Sequence, residues 1–120
     1  MKICVSGEGQ EQNSKVDFRF GRCAYFVIYD SLTNQYRAVG NQGLSSPHGA
    51  GVAAAQQVID EKVDAVVTGN MGPNAMELMK SAGIKIYEIS GGTVAGAVKL
   101  CLDGKLGEIT KAAPAHSGMA

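Results

Sequence analysis

The residues with the greatest chemical potential lie together at Asp17-Phe18-Arg19-Phe20-Gly21-Arg22-Cys23. Two guanidinium groups flank a Phe-Gly turn and abut a thiol. Arginine offers planar, permanently charged donors that suit anions, and nearby cations favour the thiolate form of a cysteine. The segment could therefore receive an anionic, sulfur-bridged metal cluster, with Arg19, Phe20, Gly21 and Arg22 as binding residues and Cys23 as a metal ligand. The same residue types allow a plainer arrangement. Arg19 and Arg22 would pair with Asp17 or Glu11 at the surface, while Cys23 packs as a small hydrophobe.

Three glycine-rich turns, at residues 46–51, 69–73 and 90–93, form a second group of candidates. Each precedes an expected helix, whose first N–H groups lack intrahelical partners and can hold an anion. His48, Gly49 and Gly51 in the first turn and Gly69, Asn70 and Gly72 in the second are the candidate contacts, and His48 could also ligate a metal. Glycine is equally the ordinary solution to a tight turn. None of these turns matches the P-loop or dinucleotide-binding spacing, and neither a Ser-His-Asp order nor an H-E-x-x-H motif occurs. With no acid-base pair in view, the chain is not expected to be an enzyme. Cys4 and Cys101 fall on a strand and on an apolar helical stripe, where a cysteine is usually core.

These residues need a scaffold, and the hydrophobic periods supply one. Short apolar runs at 2–6, 24–29, 36–39, 63–68 and 84–89 read as strands, the second and third joined by the turn residues 30–34. Helical periods follow at 50–62, with Val52, Ala55, Val58 and Ile59 inward, and after Pro73, with Ala75, Leu78, Met79 and Ala82 inward. A third begins after Thr93, a suitable N-cap, with Val94, Ala97, Val98 and Cys101 inward. Gly83 suits the left-handed C-terminal position of the second helix. The order predicts an α/β domain with a mixed five-stranded sheet, a β-hairpin plus parallel strands, and helices on both faces. Ligands of such sheets bind at the carboxyl ends of the parallel strands.

Length and charge bound the rest. The 120 residues, 45% hydrophobic, suffice for one domain, expected over 1–110 with a flexible tail at 111–120. Eleven basic and eleven acidic residues cancel, so there is no global field to gather nucleic acid or a membrane surface. The three cysteines form no C-x-x-C pair, and no apolar run reaches the roughly 18 residues of a membrane span, which leads to the expectation of a cytoplasmic protein.

Four stretches together resemble a known family: N-S-K-V-D-F-R-F-G-R-C-A-Y-F-V-I-Y-D at 13–30, H-G-A-G-V-A-A-A-Q at 48–56, V-D-A-V-V-T-G-N-M-G-P-N-A at 63–75 and A-G-I-K-I-Y at 82–87. The chain resembles the dinitrogenase iron-molybdenum cofactor biosynthesis family, the small NifX-type proteins and their relatives in archaea and anaerobic bacteria. The resemblance implies a ribonuclease H-like fold and the binding or carriage of an iron-molybdenum cofactor or another metal-sulfur cluster. It also implies cluster donor and acceptor proteins as partners. Nuclease chemistry does not follow, because the first strand carries no aspartate. Members tied to nitrogenase assembly carry histidine before the Phe-Gly pair, where this chain has Arg19. A direct imidazole ligand is therefore absent at that position, and Arg19, Arg22 and Cys23 could instead hold a different cluster, such as the molybdenum-copper sulfide of an orange-coloured relative. A regulatory module for a small phosphate- or carboxylate-bearing ligand is the alternative from a different class.

Overall fold

A computed structural model describes residues 1–46 and 49–112. Its strands are β1 (Lys2–Gly7), β2 (Tyr25–Asp30), β3 (Gln35–Gly40), β4 (Ala65–Thr68) and β5 (Lys85–Glu88), and its helices are α1 (Ala50–Asp60), α2 (Pro73–Ser81) and α3 (Val94–Leu102). The five strands form one sheet in the order β3-β2-β1-β4-β5. β2 runs antiparallel to both its neighbours, while β1, β4 and β5 are mutually parallel. The expected mixed sheet is therefore present, with the parallel strands side by side and their carboxyl ends on one edge.

Alternation along the strands divides the core into two layers. Cys4, Phe26, Ile28, Val66 and Ile86 pack against Ala54, Ala55 and Val58 of α1 and Ala75, Met76 and Met79 of α2. Ile3, Val5, Val27 and Val67 face the other way, onto Val94, Ala97 and Val98 of α3. Helices thus cover both faces, as the sequence predicts. The hairpin between β2 and β3 closes through the turn residues themselves: Leu32 N–H donates to the Asp30 carboxylate at 2.9 Å, and the Tyr29 hydroxyl donates to Asn34 Oδ1 at 2.7 Å.

Two helical details differ from expectation. In α1, Val52 is exposed, and the buried stripe is made of Ala50, Gly51, Ala54, Ala55 and Val58. Small side chains bring the helix close to α2 and the sheet, so the inward face follows size rather than hydrophobicity. In α2 the inward positions are Ala75, Met76 and Met79, while Leu78 is half-buried and Ala82 is exposed as the C-cap. Residues 107–109, assigned to no element by periodicity, cover the β5 edge: Glu88 N–H donates to Gly107 C=O at 2.9 Å and Ile109 N–H to Ile86 C=O at 2.7 Å. Covering an edge strand removes a template for unwanted pairing. Of the tail expected at 111–120, residues 113–120 lie outside the described residues. Among the described residues no helix is long and apolar enough to cross a membrane.

The start of α3 is closed three times over. Thr93 Oγ1 accepts from Gly96 N–H at 3.1 Å, and the carbonyls of Ser14 and Gln12 accept from Val94 and Ala95 N–H at 2.9 and 2.8 Å. Thr93→Ala removes only the first of these, and should lower unfolding free energy by about 1 kcal/mol. Urea denaturation at unchanged m-value checks this.

Candidate functional site

The carboxyl edge is organised by a buried polar knot. Ser6 at the end of β1 and Thr68 at the end of β4 have no solvent exposure, and their hydroxyl oxygens are 2.8 Å apart. Ser6 Oγ also donates to the Asp17 carbonyl at 2.6 Å, and Asp17 N–H donates back to Ser6 C=O at 2.9 Å. The chain then continues across the end of β4: Asn70 N–H donates to Phe18 C=O at 2.9 Å and Phe20 N–H to Asn70 C=O at 3.4 Å. Residues 16–20 are in this way tied across the mouths of β1 and β4, which places the arginine segment beside the second glycine turn.

That geometry reassigns several candidates. A Cβ at position 69 would come within 2.6 Å of Phe18 Cβ and 2.7 Å of its Cα, so the space left by Gly69 is taken by Phe18 rather than kept for a ligand. Asn70 supplies the backbone groups that hold Phe18 and Phe20. Phe20 is wholly buried against Phe26, with ring centroids 5.2 Å apart, and anchors the Phe-Gly turn from below. Gly21 is buried too, its carbonyl accepting from Asn41 Nδ2 at 3.2 Å. Asn41 also donates to Cys23 C=O at 2.9 Å and accepts from Gly43 N–H at 2.8 Å, so one buried amide pins the turn on both sides. Nothing local marked Asn41 beyond its place after a strand in a glycine-rich loop.

The two arginines end in different states. Asp17, its side chain 10% exposed, takes Arg19 through Nε at 3.3 Å and the Arg19 N–H at 2.9 Å. This is the plainer pairing anticipated for Arg19. Arg22 is exposed, and among the described residues no carboxylate forms an ion pair with it. Beside it lies an open recess of about 340 Å³ lined by Glu8, Asp17, Phe18, Arg19, Arg22, Ala24 and Leu44. Phe18 and Leu44 are 46% and 47% exposed, an apolar rim that the sequence reading did not single out.

A smaller niche of about 60 Å³ separates the first turns of α1 and α2, between Gly49, Gly51, Val52, Gly72, Pro73, Asn74 and Ala75. Gly49 and Gly72 are N-caps without side-chain hydrogen bonds, and Gly49 is left-handed at φ 74°. The niche has room for a few waters or one small oxyanion, whereas the recess is several times larger. The third glycine turn differs, because the carbonyls of Gln12 and Ser14 already occupy the α3 donors. His48 lies outside the described residues.

The expectation of a reactive thiolate at Cys23 is corrected. Its side chain is fully buried, its Sγ donates to Phe20 C=O at 3.3 Å, and burial pushes its thiol from 9.0 up to about 12. Cys4 is buried and its thiol too is pushed well above the usual value by burial, with Cys23 nearby adding to it. Among the described residues no group of three or more His, Cys, Asp or Glu side chains gathers to hold a metal ion. The reason is topological: the 3-10 turn Phe20–Arg22 rotates the arginines outward and carries the next residue under α1. An alkylating reagent at mildly alkaline pH should therefore label half-buried Cys101 first and leave Cys23 and Cys4 until the protein unfolds. Because the folded thiol keeps its proton where the unfolded chain has lost it, stability is complete below about pH 9 and declines as pH rises toward 12. Urea midpoints across that range should fall less steeply in Cys23→Ala.

The sequence profile of the family described as dinitrogenase iron-molybdenum cofactor matches residues 1–104. The apo form of the orange protein from Desulfovibrio gigas superposes with a TM-score of 0.87 and 37% identity, covering 91% of this chain and 92% of that one. An NMR structure of a Thermotoga protein of the DUF35 family gives 0.82 and 33% identity, covering 93% and 96%. An uncharacterized protein of Methanocaldococcus jannaschii is 29% identical over 97 residues, which is 78% of this chain and 82% of that protein. The family profile spans nearly the whole length of the sequence and the solved structures share the fold, and the chain belongs to the dinitrogenase iron-molybdenum cofactor family.

Proposed function

We propose that the protein binds an anionic metal-sulfur cluster at the carboxyl edge of its sheet and carries it between donor and acceptor proteins without turnover. The observation that carries this reading is the recess beside Arg22, a cluster-sized space that joins a guanidinium without an ion-pair partner among the described residues to an apolar rim. A guanidinium is weakly hydrated and offers several fixed donors, which suits a sulfur-rich surface that accepts hydrogen bonds weakly. With Cys23 buried and protonated, the cargo is held by contacts at its surface rather than by a thiolate bond, so it can leave intact. Arg19 in place of the histidine found in nitrogenase-assembly members favours a molybdenum-copper sulfide or a related cluster over the nitrogenase cofactor. The likeness to the orange protein supports the same choice. A cytoplasmic setting and a ribonuclease H-like classification belong to this proposal, the latter supported by the strand order with β2 alone reversed. Nucleic acid is not among the proposed partners, given a formal charge of zero.

The niche between α1 and α2 favours a second reading. Its size fits a single phosphate or carboxylate held by first-turn N–H groups of two helices whose glycine caps supply no side-chain acceptor, as in a small-ligand sensor. Anaerobic purification separates the two. A cluster carrier shows charge-transfer absorption and molybdenum by elemental analysis, whereas a colourless protein that binds inorganic phosphate supports the sensor. For the carrier, Arg22→Ala should weaken cluster affinity by about ten- to a hundredfold, read by absorbance titration, with an unchanged urea midpoint. Arg22→Lys should retain part of the affinity, because it keeps the charge and loses the planar fork.

A further inference from the structure

The recess beside Arg22 contains more than cations. Four ionisable side chains line it, Glu8 and Asp17 against Arg19 and Arg22, so its formal charge is zero. Asp17 is in contact with Arg19, and its backbone is locked by Ser6, so this cancellation is built into the fold. Glu8 is fixed in the chain by its N–H donating to Lys15 C=O at 2.9 Å. A site designed to gather anions by field alone would not carry two carboxylates. With Asp17 taken by Arg19, what remains among the described residues is the Arg22 guanidinium, which has no ion-pair partner, and the exposed Glu8 carboxylate, beside two half-exposed apolar side chains, Phe18 and Leu44.

A compact oxyanion loses much hydration on entering such a place and regains only what Arg22 can donate, because the net field is small and the carbon rim of Phe18 and Leu44 offers no donors. An anion of equal charge spread over large, polarizable sulfur atoms is weakly hydrated and gains dispersion contact with the same rim. Resting on the cluster-carrier reading, we infer that this recess is a filter for large, weakly hydrated anions. Glu8 and Asp17 hold back the field that would admit oxyanions, and Phe18 and Leu44 supply the selective contact.

Tetrathiomolybdate and molybdate test this, since both are tetrahedral dianions that differ in hydration. Titration of the full chain under anaerobic conditions at low ionic strength should show tetrathiomolybdate binding more than about tenfold tighter than molybdate. Phe18 is half-exposed and serves the fold through its backbone, so Phe18→Ser should keep the urea midpoint. It should lower tetrathiomolybdate affinity about five- to tenfold and leave molybdate unchanged. Glu8→Gln, at an exposed position, should raise the affinity of both anions about three- to tenfold and steepen the salt dependence. Failure of tetrathiomolybdate to bind the unaltered protein overturns the carrier reading and the filter with it. Equal binding of the two anions, an equal loss of both in Phe18→Ser, or no gain in Glu8→Gln overturns the filter alone.

Discussion

Ser6, Thr68 and Asp17 meet where β1 and β4 end, and the candidate site depends on that meeting. Two hydroxyls without solvent contact and a buried aspartate backbone must find partners inside the protein, since each unsatisfied group costs about 1 to 3 kcal/mol. They find them only if the polar loop that follows β1 returns and lies across the mouth of β4. Once it does, Phe18 presses on Gly69, Phe20 enters the core beside Phe26, and Arg19 and Arg22 are carried to the rim. The position of the cationic groups is thus a consequence of satisfying hydroxyls beneath them.

Charge in this region serves position more than stability. The Arg19 side chain is half-exposed, so its ion pair with Asp17 is screened and worth little to folding. Its effect is to aim one guanidinium and to consume it, leaving the neighbouring one available. In a chain of zero net charge such a division is local and short-ranged, decaying within about 10 Å at ordinary ionic strength. The anion preference of the edge therefore rests on which individual side chains are paired, and no global field contributes to it.

The glycines near the edge act for separate reasons. At position 69 the chain of Phe18 approaches too closely for any Cβ, and the residue is structural. At position 49 the backbone is left-handed and opens the first turn of α1 to the niche. Glycine-rich turns that look alike in sequence thus differ: the third is closed by loop carbonyls, the second seats Phe18 at Gly69 and borders the niche at Gly72, and the first borders the niche at Gly49 and Gly51.

From the sequence alone, the element order, the mixed sheet, the capping of α3 by Thr93 and the family could all be read. Each rests on periods, turn residues or motifs confined to a few neighbouring positions. The alternatives for Arg19, Arg22 and Cys23 were visible as well, but not the choice among them. That choice is made by contacts between distant parts of the chain: Ser6 and Thr68 are 62 residues apart, and Asn41 reaches back 18 residues to the carbonyl of Cys23. Burial of the thiol, pairing of one arginine and freedom of the other, and the apolar rim from Phe18 and Leu44 exist only once the sheet has brought those segments together. A local pattern specifies which face of a helix or strand is apolar, whereas the partner that meets a polar side chain is set by the packing of the whole chain.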